Sequence, residues 1–236
     1  MAQRTSFGLG FGLLLLATGS AACGAHFETV DESPQELGRT QNGTGRYSLS
    51  FFKGMSSAGS VYEGVADATI QRRASNQGKS EFCTSKGGST QRSCLLRWDL
   101  SSIPSTARVQ GVLLEVTVAD PSRGTFRVYD MRRPWTEDEA DFKRANAGEV
   151  WGLPGANSTV DSGSTALGAF VPRDNGALTI PLNAAGVAVV QGWINDPATN
   201  HGLKLYNPRP FNGATILSSD WGTVAERPKL VVVLAD

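Results

Sequence analysis

Apolar and polar side chains alternate along the sequence CLLRWDL, residues 94–100. Leu96, Trp98 and Leu100 fall on one side of an extended chain, because successive side chains of a strand point to opposite faces. The sequence VLLEVTV, residues 112–118, alternates in the same way. Both segments therefore predict strands of an antiparallel sheet with one covered face.

Further runs of the same kind lie on both sides of these two segments. They are residues 65–70, 126–129, 167–171, 178–182, 203–206, 215–219 and 229–234. Turn-forming sequences such as DPSRG at 120–124 and RDNG at 173–176 separate the runs. Roughly eight to ten short strands with such spacing predict an all-β, jelly-roll-like antiparallel sandwich.

One segment departs from the period of two. Val187, Val190 and Ile194 have helical spacing, and Asn183 precedes them at a position where its side chain can cap the first turn. The sequence predicts one short helix over residues 183–194 that closes one end of the sandwich.

The composition restricts the classes of function. The chain has 236 residues, and its 22 basic and 22 acidic side chains give zero formal net charge. A nucleic-acid binder needs a basic surface to displace counterions, so we expect no nucleic-acid partner. Two histidines and three cysteines leave little material for a transition-metal site.

The first 22 residues have the order of a secretory signal. Arg4 precedes the apolar run LGFGLLLLA at 9–17, and small residues lead up to Cys23. The run is too short to cross a bilayer, which takes roughly 20 apolar residues. The cysteine after small residues resembles a bacterial lipobox, in which Cys23 carries the lipid; the alternative is an ordinary signal peptide cleaved nearby.

This signal predicts an exported protein whose only membrane contact is the N-terminal lipid. Gly24 follows the cysteine, and the lipoprotein rule then implies the outer membrane or the cell surface. With an ordinary signal peptide the protein is secreted.

Residues 23–60 are rich in Gly, Ser and acidic residues, which is typical of a flexible tether. Tyr47, Leu49 and Phe51 alternate within this segment and could add a first strand to the domain. We therefore expect a signal peptide at 1–22, a lipidated N-terminus and linker at 23–60, and one sandwich domain at 61–236.

Cys83 and Cys94 lie symmetrically about Gly87-Gly88-Ser89. If this turn closes a hairpin, the two cysteines lie opposite each other. Because an exported chain meets an oxidising compartment, we predict a disulfide. The alternatives are two inert thiols or a metal-binding pair.

Six blocks follow one another through the predicted domain. They are VADATI (65–70), LLRWDLSSIP (95–104), an apolar strand (109–118), VYDMRRPWTE (128–137), a Val-Trp segment followed by NHGLKL (189–193 and 200–205), and LSS followed by RPKLVV (217–219 and 227–232). In this order they resemble the DNRLRE domain family. The family's Thr-Trp after its WTE block corresponds to Asp141-Phe142 here, and the Cys83/Cys94 pair is not a general family feature.

The resemblance implies a β-sandwich on a secreted or surface-anchored protein. Some relatives are carbohydrate-binding modules, including alginate binders, and others occur in disaggregatase-type proteins that act on envelope polysaccharide. We interpret the motif residues as structural: Asp67, Arg97, Trp98, Asp99, Trp135, Glu137 and Trp193.

Positive charge is concentrated in one segment: residues 72–108 hold seven basic and two acidic side chains. Arginine forks bind carboxylates with two hydrogen bonds, and a uronate polymer carries one carboxylate on each sugar. Arg72, Arg73, Lys86 and Arg92 are therefore candidate contacts for an anionic glycan. The alternative is a solvated face with ordinary ion pairs.

Two tryptophans are further candidates for the ligand site. Trp151 and Trp221 lie beside glycines, and an exposed aromatic ring there can stack on a sugar. The alternative is a loop aromatic folded over the edge of the sandwich.

Catalysis and metal binding have weaker support. Glu137, Asp138, Glu139 and Asp141 form a carboxylate cluster, but His26 and His201 are poorly placed to serve as a base. No Asp-x-Asp-x-Asp loop is present; Asp67, Asp120 and Asp161 could supply oxygens to a structural Ca²⁺.

We therefore expect a non-catalytic, polysaccharide-binding module. The alternatives are a polysaccharide-degrading lyase or hydrolase that uses Tyr129 or Glu137, and an adhesion module that contacts protein.

Overall fold

The computed structural model describes residues 40–41, 45–57, 59–72, 75–209 and 212–235. The predicted signal peptide, the lipid-anchor residue Cys23 and the candidate Arg73 lie outside these residues. The described strands are β1 (Thr40–Gln41), β2 (Arg46–Phe51), β3 (Met55–Ser57), β4 (Ser60–Tyr62), β5 (Val65–Gln71), β6 (Phe82–Ser85), β7 (Arg92–Trp98), β8 (Val109–Asp120), β9 (Phe126–Asp130), β10 (Arg144–Asn146), β11 (Glu149–Val150), β12 (Gly168–Phe170), β13 (Gly176–Pro181), β14 (Leu203–Tyr206), β15 (Ala214–Leu217) and β16 (Lys229–Ala235).

One α-helix and three short 3₁₀ turns complete the described secondary structure. They are α1 (Ala184–Asn195) and the turns Gly88–Thr90, Pro197–Thr199 and Val224–Glu226. Each of the nine predicted apolar runs overlaps a strand: β5, β7, β8, β9, β12, β13, β14, β15 or β16. The fold class, an all-β antiparallel sandwich with one helix, is confirmed.

The strands form two main sheets. In the seven-stranded sheet the long strand β8 pairs with β16, β15 and β13. Strand β2 pairs with β16 and with the edge strand β1, and β6 pairs with β15. The five-stranded sheet has the order β12-β9-β14-β7-β5. Two small hairpins, β3–β4 and β10–β11, lie outside both sheets.

The main core lies between the two sheets. Leu114, Leu230 and Val232 enter it from the seven-stranded sheet. Leu96 and Trp98 enter it from the five-stranded sheet, as the alternation of residues 94–100 predicts. Burying such side chains stabilises the fold by about 1.5–3 kcal/mol each.

Helix α1 closes one end of the sandwich, as predicted. The Asn183 side chain caps it by accepting a hydrogen bond from the Gly186 backbone N–H. Val190, Trp193 and Ile194 are buried on the face that meets the core. The Gln191 side chain accepts from the Val109 backbone N–H, which joins the helix to the start of β8.

The other face of the five-stranded sheet is also covered. Ala68, Ile70 and Leu95 lie on that face, opposite the side chains that enter the main core. The segment 131–163 folds over them and contributes a second apolar cluster: Met131, Trp135, Ala140, Ala145, Trp151 and Ala156. We call this segment the cover. The sequence pattern predicted one covered face, and the structure has two.

The N-terminal boundary of the domain differs from the prediction. Residues 46–51 form strand β2, whose six residues pair in register with β16. Leu49 and Phe51 are buried in the main core because they share the inward face of that strand. The expectation that Tyr47, Leu49 and Phe51 add a first strand is confirmed, and β1 (Thr40–Gln41) pairs with that strand. The predicted start of the sandwich at residue 61 is therefore wrong, because the sheet already includes β1 and β2.

The disulfide Cys83–Cys94 is confirmed, but the two cysteines do not lie opposite each other in a hairpin, as the sequence analysis assumed. Cys83 lies in β6 of the seven-stranded sheet, and Cys94 lies in β7 of the five-stranded sheet. Between them the chain crosses from one sheet to the other, and only Lys86 and Arg92 form a bridge. The bond therefore joins the two sheets through the core.

Candidate functional site

Three connections meet at the end of the sandwich opposite helix α1. They join β6 to β7 (86–91), β8 to β9 (121–125) and β14 to β15 (207–213). The Ser122 hydroxyl donates to the Asn212 carbonyl, which ties two of them together. The third packs closely, because a Cβ added at Gly87 would lie 2.2 Å from the carbonyl oxygen of Arg209. Only glycine fits that contact.

A basic cleft of 650 Å³ opens between two of these connections. Its lining residues are Ser122, Arg123, Gly124, Thr125, Arg127, Asn207, Pro208, Arg209 and Asn212. The lining includes three arginines and no carboxylate. Its volume falls within the range of roughly 300–1,000 Å³ that is typical of small-ligand sites.

The three arginines of the basic cleft are exposed and have no carboxylate partner in the part of the chain that the structure describes. Elsewhere several arginines are paired, for example Arg133 with Asp161 and Arg132 with Asp130. The cleft therefore presents guanidinium groups whose hydrogen-bonding capacity is open to an anion.

Two tyrosines extend the site over the outer face of the five-stranded sheet. Tyr206 pairs across strands with Arg127, and Tyr129 pairs with Lys204. These four side chains share one face, because they occupy alternate positions of β9 and β14. Burial and, second, the neighbouring Tyr129 phenol raise the pKa of Tyr206. The half-buried phenol rings thus lie side by side next to the cleft.

Lys204 supports this surface from below. Its ammonium group donates to the carbonyls of Gly155 and Ala156 and to the Asn157 side chain, at 2.7–3.1 Å. It also lies 4.9 Å from the centroid of the Tyr206 ring. Burial lowers the pKa of Lys204 to about 8. The contacts fix the margin of the cover beside the tyrosines.

The predicted anionic-glycan residues divide between two places. Lys86 and Arg92 bridge each other at the same end of the sandwich as the basic cleft. Arg72 bonds through its backbone N–H to Gln91, but its exposed side chain lines a different cleft with Lys143 and Arg144. None of these predicted residues lines the basic cleft itself.

The remaining cations of residues 72–108 do not join a single surface. Lys79 pairs with Asp138, and the half-buried Arg97 lies over the Trp135 ring and donates to its carbonyl. Arg108 bonds through its carbonyl to Ala235, at the end of the sandwich that α1 closes. The cations of this segment therefore lie on different faces and at different ends of the sandwich, and the anionic-glycan role of Arg72, Lys86 and Arg92 stays a prediction.

Sequence reasoning missed Arg123, Arg127 and Arg209. Arg123 and Arg127 are four residues apart, in the β8–β9 connection and in β9, whereas Arg209 belongs to the β14–β15 connection much later in the chain, so the sequence alone did not unite the three. One signal was available: Arg127 and Tyr129 occupy the outward positions of the run 126–129. An arginine and a tyrosine on the solvent side of a predicted strand are candidates for binding.

The two candidate tryptophans do not present open platforms. Trp151 is 3% exposed and its indole N–H donates to the Asp141 carbonyl, so its interpretation as a stacking residue is wrong. The cover encloses it. Trp221 is half-buried: its indole N–H donates to the Glu226 carboxylate, and its ring lies 5.8 Å from the Phe82 ring. It does not line the basic cleft.

The acidic residues hold backbone groups in place. Glu137 accepts from the Asp67 N–H at 3.0 Å, and Glu139 and Asp141 accept from backbone N–H groups of the β10 hairpin region. Asp99 accepts from the Ser101 N–H. These contacts agree with a structural role for the motif carboxylates.

The candidate calcium ligands are not brought together. Asp161 is bound by Arg133 and by the N–H groups of Gly152 and Leu153. Asp67 is 1% exposed, and burial raises its pKa to about 7. Asp120 is exposed at the end of β8. Within the described ranges no group of three or more His, Cys, Asp or Glu side chains is arranged to hold a metal ion.

Comparison with known proteins adds no assignment. A scan against protein-family models finds no match, and a search of curated proteins finds no significant relative. The resemblance to DNRLRE domains rests on the six motif blocks. Over the residues described, no helix has both the length and the apolar character needed to span a bilayer.

Proposed function

We propose that this sandwich is a non-catalytic module that binds an acidic, uronate-type polysaccharide of the cell envelope or extracellular matrix. The observation that carries the proposal is the basic cleft, with Arg123, Arg127 and Arg209 free of carboxylate partners among the described residues. The predicted signal peptide and lipidated Cys23 would place the module outside the cytoplasm, on the outer membrane or cell surface.

The chemistry of the cleft suits a carboxylated sugar. A guanidinium group can donate two parallel hydrogen bonds to one carboxylate, which gives orientation as well as affinity. The Tyr206 and Tyr129 rings, next to Arg127 on the same face, offer apolar surface against which a sugar ring can stack. A chain that leaves the cleft would continue over these rings.

The proposal assigns no bond-breaking step. A glycosidase needs two carboxyl groups on either side of an accessible scissile bond. Neither Asp67 nor Glu137 lines the basic cleft, and Asp67 is almost fully buried. Tyr129 has no carboxylate or histidine partner in the cleft lining that could serve as a base.

The test is a binding titration of the full chain with alginate and with a neutral glucan at physiological salt. We expect alginate alone to bind, and Arg127→Gln/Arg209→Gln to weaken binding at least tenfold. Arg46→Gln/Arg108→Gln is the matched control, because it removes the same charge from exposed arginines at the other end of the sandwich. The control should bind as tightly as the wild type.

A third variant separates stacking from charge. Tyr206→Ala should weaken alginate binding without changing its salt dependence, since no charge is removed. No binding to any acidic polymer, or an equal loss in both arginine pairs, would overturn the proposal.

A further inference from the structure

Exposed aliphatic side chains are concentrated in one loop of the cover, residues 150–160, which we call the aliphatic loop. Val150 is 66% exposed, Leu153 55% and Val160 57%. These three are half of the large apolar side chains that are exposed in the described part of the chain. Single exposed aliphatics are ordinary on a protein surface, whereas three in eleven residues form a local patch.

The aliphatic loop is held firmly in this arrangement. The Asp161 carboxylate accepts from the N–H groups of Gly152 and Leu153. Trp151 is buried beneath the loop, and a Cβ added at Gly152 would lie 2.9 Å from a Val160 methyl group. The backbone is thus fixed from inside while Val150, Leu153 and Val160 project outward.

Basic side chains surround the aliphatic loop. Arg144 is the cross-strand partner of Val150, and Arg132 donates to the Thr159 carbonyl beside Val160. Lys143 and Arg72 line a cleft of 630 Å³ together with Pro154 of the loop.

The carboxylates near the loop are already paired. Asp130 pairs with Arg132, and Asp141 lies 3.8 Å from Arg144. Glu149 and the buried Asp161 both pair with Arg133. Lys143 and Arg72 have no such partner among the residues described here. Five basic and four acidic side chains thus surround the loop, which leaves a net charge of +1 there.

The size of the aliphatic patch favours a bilayer over a protein as its partner. A stable protein interface buries roughly 1,200–2,000 Å² in total, and three aliphatic side chains supply a small part of that area. Shallow contact with a bilayer needs only a few apolar side chains and basic neighbours, each worth about 1 kcal/mol near anionic lipid.

We propose that the aliphatic loop inserts into the headgroup region of a bilayer that contains anionic lipid. This contact is a second membrane attachment beside the lipid expected at Cys23, and it uses residues outside the basic cleft. It is therefore independent of polysaccharide binding.

The experiment reports the surroundings of one position at a time. The full chain carries Cys23→Ser, which removes the expected acylation site, and a single added cysteine at Leu153 or at Val61 is labelled with an environment-sensitive fluorophore. Val61 is the matched site, since it is exposed to a similar degree but lies outside the aliphatic loop.

With vesicles of phosphatidylcholine and phosphatidylglycerol at 7:3, we expect the emission of the fluorophore at position Leu153 to shift to the blue and to rise at least twofold. The fluorophore at position Val61 should show no change. Vesicles of phosphatidylcholine alone should give a response at least fivefold weaker. Val150→Ser/Val160→Ser should abolish the signal at 153, while Val224→Ser, an exposed valine elsewhere, should leave it unchanged. An unchanged spectrum at 153, or equal responses at 153 and 61, would overturn the proposal.

Discussion

The five-stranded sheet has two buried faces that are constructed differently. Its inner face packs aliphatic and aromatic side chains such as Leu96 and Trp98 against the second sheet. Its outer face carries Leu95 beneath the cover, a segment with only one short hairpin of its own. Polar anchors hold the cover down, including Lys204 and the indole N–H of Trp135, which donates to His201.

The difference explains where the candidate site lies. The seven-stranded sheet packs against the inner face and covers it. The cover protects only part of the outer face, and beyond its margin Arg127, Tyr129 and Tyr206 reach solvent. The proposed binding surface is thus the part of the sheet that the cover leaves open.

The largest expected effect compares adjacent leucines on the two faces. Leu96 and Leu95 are both fully buried. We expect Leu96→Ala to lower the free energy of unfolding by about 4 kcal/mol and Leu95→Ala by about 2.5 kcal/mol, because the cover can relax into a void more easily than two packed sheets can. Urea denaturation of both variants measures this difference. Equal losses would show that the cover packs as rigidly as a sheet.

An intermediate effect is expected at the anchor of the cover. Lys204→Met removes the donor of the Gly155 carbonyl and one of the two donors of the Ala156 carbonyl, which keeps its bond from the Ser162 hydroxyl. We expect it to lower stability by about 2 kcal/mol. Lys143→Met, an exposed lysine on the cover, is the control and should change little. If Lys204→Met is neutral, the cover does not depend on this anchor.

The same variant has a distinct pH dependence. Because the pKa of Lys204 falls to about 8 on folding, from an ordinary value of 10.5, the unfolded chain binds the extra proton between these values. Wild-type stability should therefore gain a rising component between about pH 8 and 10 that the Met variant lacks. Denaturation at several pH values in this range tests the sign.

The smallest expected effect concerns the polar exception on the inner face. Asp67 alternates with Ala66 and Ala68 of the outer face, and it accepts from the Ser219 N–H just beyond β15. Its pKa is raised to about 7, chiefly by burial. The folded state therefore binds the proton more tightly, so wild-type stability should fall as the pH rises from about 4 to 7.

Asp67→Asn should flatten that fall by about 1 kcal/mol or more across the window. Part of the slope should remain, because burial also raises the pKa of Glu137, which contacts Asp67. Asp174→Asn, at an exposed turn, should keep the full slope. An identical slope in Asp67→Asn and the wild type would contradict the assignment.

Local patterns were sufficient for the inner face. Alternation placed Leu96 and Trp98 in the core, and the cap at Asn183 located the helix. Each of these features depends on neighbours within one strand or one helical turn.

The outer face could not be read in the same way. The apolar residues of the cover do not recur at strand or helix spacing, so the sequence does not show which face they bury. Trp151 was interpreted as an exposed loop residue, although it is part of the second apolar cluster. The basic cleft unites Arg123 and Arg209, which are brought together only by pairing among β8, β9, β14 and β15. Long-range topology decided both, and a single sequence does not encode it locally.

The position of strand β2 has a mechanical consequence. Its first residue, Arg46, pairs with Ala235 near the start of β8, whereas the basic cleft lies beyond the end of β8. If a ligand held in the cleft opposes a pull on the chain ahead of Thr40, the two-residue strand β1, which pairs with β2, is loaded first. Once β1 is released, the pull reaches Arg46 and the tension runs parallel to the strands. Antiparallel hydrogen bonds are perpendicular to the strands, so β2 and β16 are loaded in shear and their bonds resist together rather than opening one by one.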